Sequence, residues 1–184
     1  MLKKVVFDMD DTLWSLNEKA VELANIDYNK LITFMINDNP LLTDEEKENL
    51  MKVYMSPDLF KNVNWFEGIE RINDLNADVH INSNIFSMTV DNIKRVQLHD
   101  VLRITDDKIH LNLVTDAKNK PIDNDTFIFV DDSPYNIINS PAPYNLMLKR
   151  PWNTSDEAKI VLGNKPIHMF DSLNEIIDYI ETLL

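Results

Sequence analysis

Apolar positions along this chain fall into two kinds of pattern. Val5-Val6-Phe7 and Thr126-Phe127-Ile128-Phe129-Val130 are unbroken, β-branched or aromatic runs, the pattern of strands buried on both faces in a parallel sheet. Shorter apolar runs predict further strands at Val79–Asn82, Val101–Ile104, around Leu111–Leu113 and at Tyr144–Leu148, with an edge strand at Ile167–Phe170. Elsewhere apolar residues recur every three or four positions. Ala20, Val21, Leu23, Ala24, Tyr28, Leu31, Ile32 and Met35 predict a helix from Ser15 that stops at Asn37-Asp38-Asn39-Pro40. Capping-box signatures stand at Ser15–Glu18, Thr43–Glu46 and Ser172–Glu175. Ser56-Pro57 predicts another helix start, and helices are expected over Glu67–Leu75, Ser87–Gln97 and the C-terminal stretch with Leu173, Ile176, Ile177, Ile180 and Leu183 on one face.

Strands alternating with helices predict an α/β fold with a parallel sheet. The helices between the first two strands exceed what one crossover needs. Residues 15–64 therefore read as an inserted all-helical segment, with 1–14 and 65–184 forming the α/β core.

The chemistry is concentrated where strands stop. Val5-Val6-Phe7 runs into Asp8-Met9-Asp10-Asp11, and the strand ending at Val130 runs into Asp131-Asp132-Ser133-Pro134. Packing gains nothing from such acids, and their mutual repulsion is offset only by a positive partner. A hard divalent cation such as Mg2+, which prefers oxygen ligands, suits them. Ser83-Asn84, just before a helix, could present a hydroxyl and backbone amides to a phosphate.

Composition narrows the classes. The 184 residues suffice for one core plus a modest insertion. A net charge of −13 argues against nucleic-acid duplexes and anionic membrane surfaces but permits a small phosphate ester beside a metal. The absence of Cys removes disulfides and thiolate chemistry and suggests a cytoplasmic setting. No signal peptide or membrane span is written in the chain. Only Gly68 and Gly163 are present, so neither a P-loop nor a Gly-rich dinucleotide fingerprint can form. His80, His99, His110 and His168 show no metal-ligand spacing and read as structural.

Asp8-Met9-Asp10-Asp11-Thr12-Leu13 resembles the first motif of the haloacid dehalogenase-like (HAD) superfamily, Ser83 after an apolar strand resembles its second, and Asp131-Asp132 its fourth. The resemblance implies a Rossmann-like parallel sheet with helices on both faces and a helical cap made by residues 15–64. It also implies a Mg2+-dependent phosphatase. Asp8 would be the nucleophile and Asp10 the general acid and base. Ser83, with Asn84, would bind phosphate, and the metal would sit among Asp8, Asp10, Asp131 and Asp132, with Asp132 preferred over Asp131 as the direct ligand. The third motif is a lone Lys. Thr115-Asp116-Ala117-Lys118 resembles the Thr-x-x-Lys segment of 5'(3')-deoxyribonucleotidases, which favours Lys118, whereas Lys120 better preserves the distance to the following acids.

Residues 57–63 and the Leu148–Asn153 stretch, with its Pro-Trp-Asn, also resemble that branch, implying a nucleoside monophosphate as substrate. Trp14, Phe60, Trp65 and Trp152 are candidates for a base slot, each equally able to serve as core. Asp11-Thr12 departs from the residues usual there in that branch. Another small phosphoester or a nucleic-acid 3'-phosphate end is the alternative substrate, and a catalytically silent HAD-like binding protein the remoter reading. A signalling receiver domain shares the residue types but lacks an insertion after its first strand.

Overall fold

The computed structural model describes residues 2–61, 63–113 and 120–184. Strands β1 (Lys4–Phe7), β2 (Asp78–Ile85), β3 (Ile109–Leu113), β4 (Ile128–Val130), β5 (Tyr144–Leu148) and β6 (His168–Phe170) form one parallel sheet in the order β3-β2-β1-β4-β5-β6. The architecture is the expected α/β, Rossmann-like sheet. Alternation along β1 divides the interior: Val5 and Phe7 join a core with α3 (Met88–Leu102) and α6 (Leu173–Leu183), while Val6 joins Phe129, Met147, Ile137 and Leu162 on the opposite face. Ile137 lies on α4 (Pro134–Asn139) and Leu162 on α5 (Asp156–Leu162), so helices cover both faces.

Between β1 and β2 the chain forms α1 (Leu16–Ala24), α2 (Asp44–Tyr54) and several 3-10 turns. Entry and exit of this segment are tied together: Ser15 N–H donates to Asn64 O at 2.9 Å and Phe66 N–H to Leu13 O at 2.9 Å, with Trp14 bridged to Trp65.

Local readings differ from the structure in several places. The expected helix from Ser15 to Met35 ends at Asn25, which takes φ 55°, a left-handed conformation that Asn tolerates, and the remainder is 3-10 turns. The Ser15 hydroxyl makes no cap and instead contacts Asn64 O; the Thr43–Glu46 box does form. Val101 and Leu102 finish α3 rather than starting a strand, because Leu102 continues the buried Val90, Lys94, Leu98 row and Arg103 then closes the helix with φ 52°. Residues Ile69–Asp74 make a 3-10 helix, and β2 continues past Asn82 to Ile85 because β3 pairs with Ser83 and Ile85. The segment containing Lys118 lies outside the described residues. Among those described, no helix is long and apolar enough to cross a membrane.

Candidate active site

Strand order places the acids. From β1 the chain runs to β2 and β3 on one side, then returns to β4 on the other, so β1 and β4 flank the point where successive connections diverge. In open α/β sheets the crevice beyond the strand carboxyl ends at such a point is the ligand site. Phe7 is in register with Val130, and Asp8 N–H donates to Val130 O at 2.8 Å. Asp8 and Asp131, the next residues, thus leave the sheet side by side. Carboxylate oxygens of Asp8, Asp131 and Asp132 lie within 4.8 Å of one another, all buried.

Lys120 neutralises part of this charge. Its Nζ stands 2.6 Å from Asp8 Oδ1 and 2.7 Å from Asp131 Oδ2, essentially out of solvent. Asp131 is further held by Ser133 N–H at 2.7 Å and by the Asn136 amide, and Ser133 caps α4. Asp132 accepts the Trp152 indole N–H at 2.7 Å, and Asn153 ties Asp132 O to Leu148 O at the end of β5. The Pro-Trp-Asn stretch therefore acts as a clamp on the second acid.

Burial pushes the Asp8 carboxyl up to about 7; Lys120 opposes this, while Asp131 and Asp10 add to it. Burial likewise holds Asp132 well above the usual carboxylate range, reinforced by Asp131, Asp11 and Asp8. For Lys120, burial works against the charge, but Asp131 and Asp8 outweigh it and raise the ammonium above its ordinary value. Three crowded carboxylates with a single ammonium leave negative charge uncompensated. The donor set is oxygen only, without His or Cys nearby, and fits a hard cation such as Mg2+.

Between pH 3.8 and about 7 the folded chain retains an Asp8 proton that the unfolded chain releases. Burying Asp8 therefore carries no ionisation penalty below this window, and the penalty grows as pH rises through it. A bound divalent cation removes that cost and requires the carboxylates ionised. Mg2+ should raise Tm more at pH 8 than at pH 5; equal thermal shifts at the two values would contradict the assignment.

Asp10 is not part of the acidic group. Its Oδ1 accepts the Trp14 indole N–H at 2.8 Å and its Oδ2 the Lys94 ammonium at 2.7 Å. Asp11 has φ 55°; its carbonyl accepts from Arg150 Nε and its carboxylate from Asn17 N–H, fastening the acidic loop to α1. Ser83 is fully buried, and its hydroxyl accepts from Lys94 at 2.9 Å.

A cavity of about 490 Å3 opens above these groups. Asp8, Asp10, Asp132 and Lys120 line it from the sheet side, with Asn84, Phe60 and Trp152 among its other walls. Trp14 and Ser83 do not line it; Trp14 is buried against Phe60 and Trp65. The described residues thus bring together Asp8, Lys120, Asp131 and Asp132, with Asp10 beside them.

No sequence motif marks Lys94. A signal exists: Val90, Lys94 and Leu98 occupy successive turns of one buried helix row, an unusual place for a charge.

No protein-family profile and no curated protein matches the chain. Solved structures do. A haloacid dehalogenase-like hydrolase from Streptococcus pneumoniae shares 15% identity over 97% of this chain and 98% of that one, with a TM-score of 0.58. A HAD hydrolase of family IA, variant 3, from Entamoeba histolytica shares 17% over 99% of each, at 0.58. A beta-phosphoglucomutase from Clostridium difficile shares 18% over 100% of this chain and 98% of that one, at 0.50. With its parallel sheet, its strand order and its acids at the carboxyl ends of β1 and β4, this chain has the fold of the haloacid dehalogenase-like hydrolases.

Proposed function

We propose that this protein is a Mg2+-dependent phosphomonoesterase that works through an aspartyl-phosphate on Asp8 and takes nucleoside or deoxynucleoside monophosphates. The observation carrying the proposal is the buried Asp8, Asp131 and Asp132 group, bridged by Lys120, beneath a cavity of substrate size.

Asp8 Oδ attacks phosphorus in line with the leaving oxygen, and Asp10, which enters this step protonated, passes its proton to that oxygen so that the alcohol departs. Asp10, now ionised, takes a proton from water as the water attacks the phosphoryl group, releasing phosphate and restoring the Asp8 carboxylate. Lys120 offsets the charge of Asp8 and of the incoming phosphate, and Asn84 faces the cavity where phosphoryl oxygens would lie. Ser83 stands behind, with its hydroxyl engaged by Lys94. Asp8, Asp131 and Asp132 would hold Mg2+, which supplies charge neutralisation for the phosphoryl oxygens when bound.

The nucleotide reading is supported by the cavity wall that residues 15–64, read as a cap, contribute. Leu31, Phe34, Met35, Met51, Met55 and Phe60 make most of it apolar or aromatic, Asn17, Thr33, Asn37 and Tyr54 add uncharged polar groups, and among the described residues no charged side chain of that segment lines the space. Such a wall suits an uncharged planar ring on a sugar bearing one phosphate, and its lack of cations disfavours a second phosphate. Deoxynucleoside monophosphates, hexose phosphates and a 3'-phosphorylated oligonucleotide, each assayed with and without Mg2+, test the assignment. The expected result is Mg2+-dependent phosphate release with the highest kcat/KM for a nucleoside monophosphate. Preference for the hexose phosphates would overturn the nucleotide assignment alone; no release from any ester would overturn the phosphatase reading.

A further inference from the structure

Lys94 is a fully buried lysine in the middle of α3, in a helix row otherwise filled by Val90 and Leu98. Its ammonium has three N–H donors and three acceptors: Asp10 Oδ2 at 2.7 Å, Ser83 Oγ at 2.9 Å and Asn84 O at 3.1 Å. The rings of Phe60 and Trp14 lie 5.6 and 5.9 Å from it and shut out water. Every donor is used inside the protein, and Lys94 does not line the cavity, so none remains for a substrate.

Asp10 shows the complementary arrangement. Its side chain keeps 26% of its exposure and faces the cavity, while one oxygen is held by Lys94 and the other by the Trp14 indole. Each carboxylate oxygen has a second lone-pair position, which can carry the proton that passes to the leaving oxygen and afterwards take one from the attacking water. Without these two anchors, a carboxylate one residue from Asp11 and two from Asp8 could rotate freely, and attraction would draw it toward any cation held by the neighbouring acids. Burial of Lys94 is not explained by stability, since an apolar side chain of similar length generally serves a helix row as well as a buried ion pair does.

We infer that Lys94 is a positioning residue: it locks Asp10 in the orientation for proton transfer to the leaving oxygen and keeps it from becoming another side-chain ligand of the metal. This rests on the phosphatase reading above, with Asp10 as acid and base. The distinguishing property is leaving-group dependence. A misplaced acid matters for a nucleoside monophosphate, whose alkoxide leaving group needs a proton, and little for p-nitrophenyl phosphate, whose phenolate departs unaided.

Lys94→Met should lower kcat/KM for a nucleoside monophosphate by about 10²-fold, within the usual worth of a positioned acid, and for p-nitrophenyl phosphate by less than about fivefold. kcat/KM covers the steps through phosphoryl transfer to Asp8, which isolates the acid role. Inhibition by inorganic phosphate should be unchanged. In an Asp10→Asn background, adding Lys94→Met should have no further effect on either ester. Should the methionine variant fail to fold by circular dichroism, Lys94→Gln, which retains a donor without the charge, should show the same bias at smaller size. Equal losses on the two esters, an additive effect with Asp10→Asn, or a tenfold weaker phosphate inhibition would overturn the inference while leaving the phosphatase reading intact. A wild-type protein without Mg2+-dependent hydrolysis of either ester would overturn both.

Discussion

Asp8→Asn should reduce kcat for Mg2+-dependent phosphomonoester hydrolysis by about 10⁴-fold or more, the scale expected when a nucleophile is removed. Among the described residues, no other group is placed to substitute. Asp131 and Asp132 follow β4, with their oxygens committed to Lys120, Ser133, Asn136 and Trp152. Asp10 is fastened to Lys94 and Trp14. The fold should survive, because Asn removes a buried charge whose carboxyl is already pushed up to about 7, and Lys120 retains Asp131 as a partner. Steady-state phosphate release at saturating Mg2+, with circular dichroism to verify folding, measures this. Turnover within tenfold of wild type would remove Asp8 from the mechanism.

Lys120→Met should destabilise the metal-free protein by about 3–5 kcal/mol, the cost of leaving buried ionised partners without their counter-charge. Two carboxylates depend on this single ammonium, and both are almost wholly buried. Urea denaturation should show a lower midpoint with an unchanged slope. Saturating Mg2+ should recover part of the loss, since the cation supplies positive charge to the same oxygens. Removing Lys52, whose ion pair with Glu48 is exposed on both sides, should change stability by less than about 1 kcal/mol. A loss that small for Lys120→Met would show that the bridge between the two strand ends carries little of the charge balance.

Some of this could be read along the chain because the relevant physics is local. Val5-Val6-Phe7 and Ile128-Phe129-Val130 announce strands buried on both faces, and acids directly after them make little sense as packing. Thr43 and Ser172 mark helix starts because a hydroxyl and an amide three residues on satisfy each other; Thr43 forms the reciprocal box, whereas at Ser172 the Glu175 carboxylate reaches the Asp171 amide instead. Other features depended on distant partners. Ser83 and Asn84 look like turn residues, yet β3 draws them into β2. Val101 favours a strand by type and ends a helix by burial of its neighbours. Between Lys118 and Lys120, local spacing and family likeness pointed in different directions. Lys120 is the one whose described position bridges Asp8 and Asp131.

The sequence by itself determined which residue types stand at strand ends, where most helices begin, and that no thiol or Gly-rich phosphate loop takes part. Only tertiary structure decided that Asp8 and Asp132, more than a hundred residues apart, share one crevice. Register between β1 and β4 put them there, and a register is a long-range pairing that no window of sequence contains. The same holds for Lys94: its charge is visible in the chain, but the acceptors that explain it come from β2 and from the loop after β1. Burial converts an ordinary lysine into the fastener of Asp10, because a charge removed from water must find every partner within the fold.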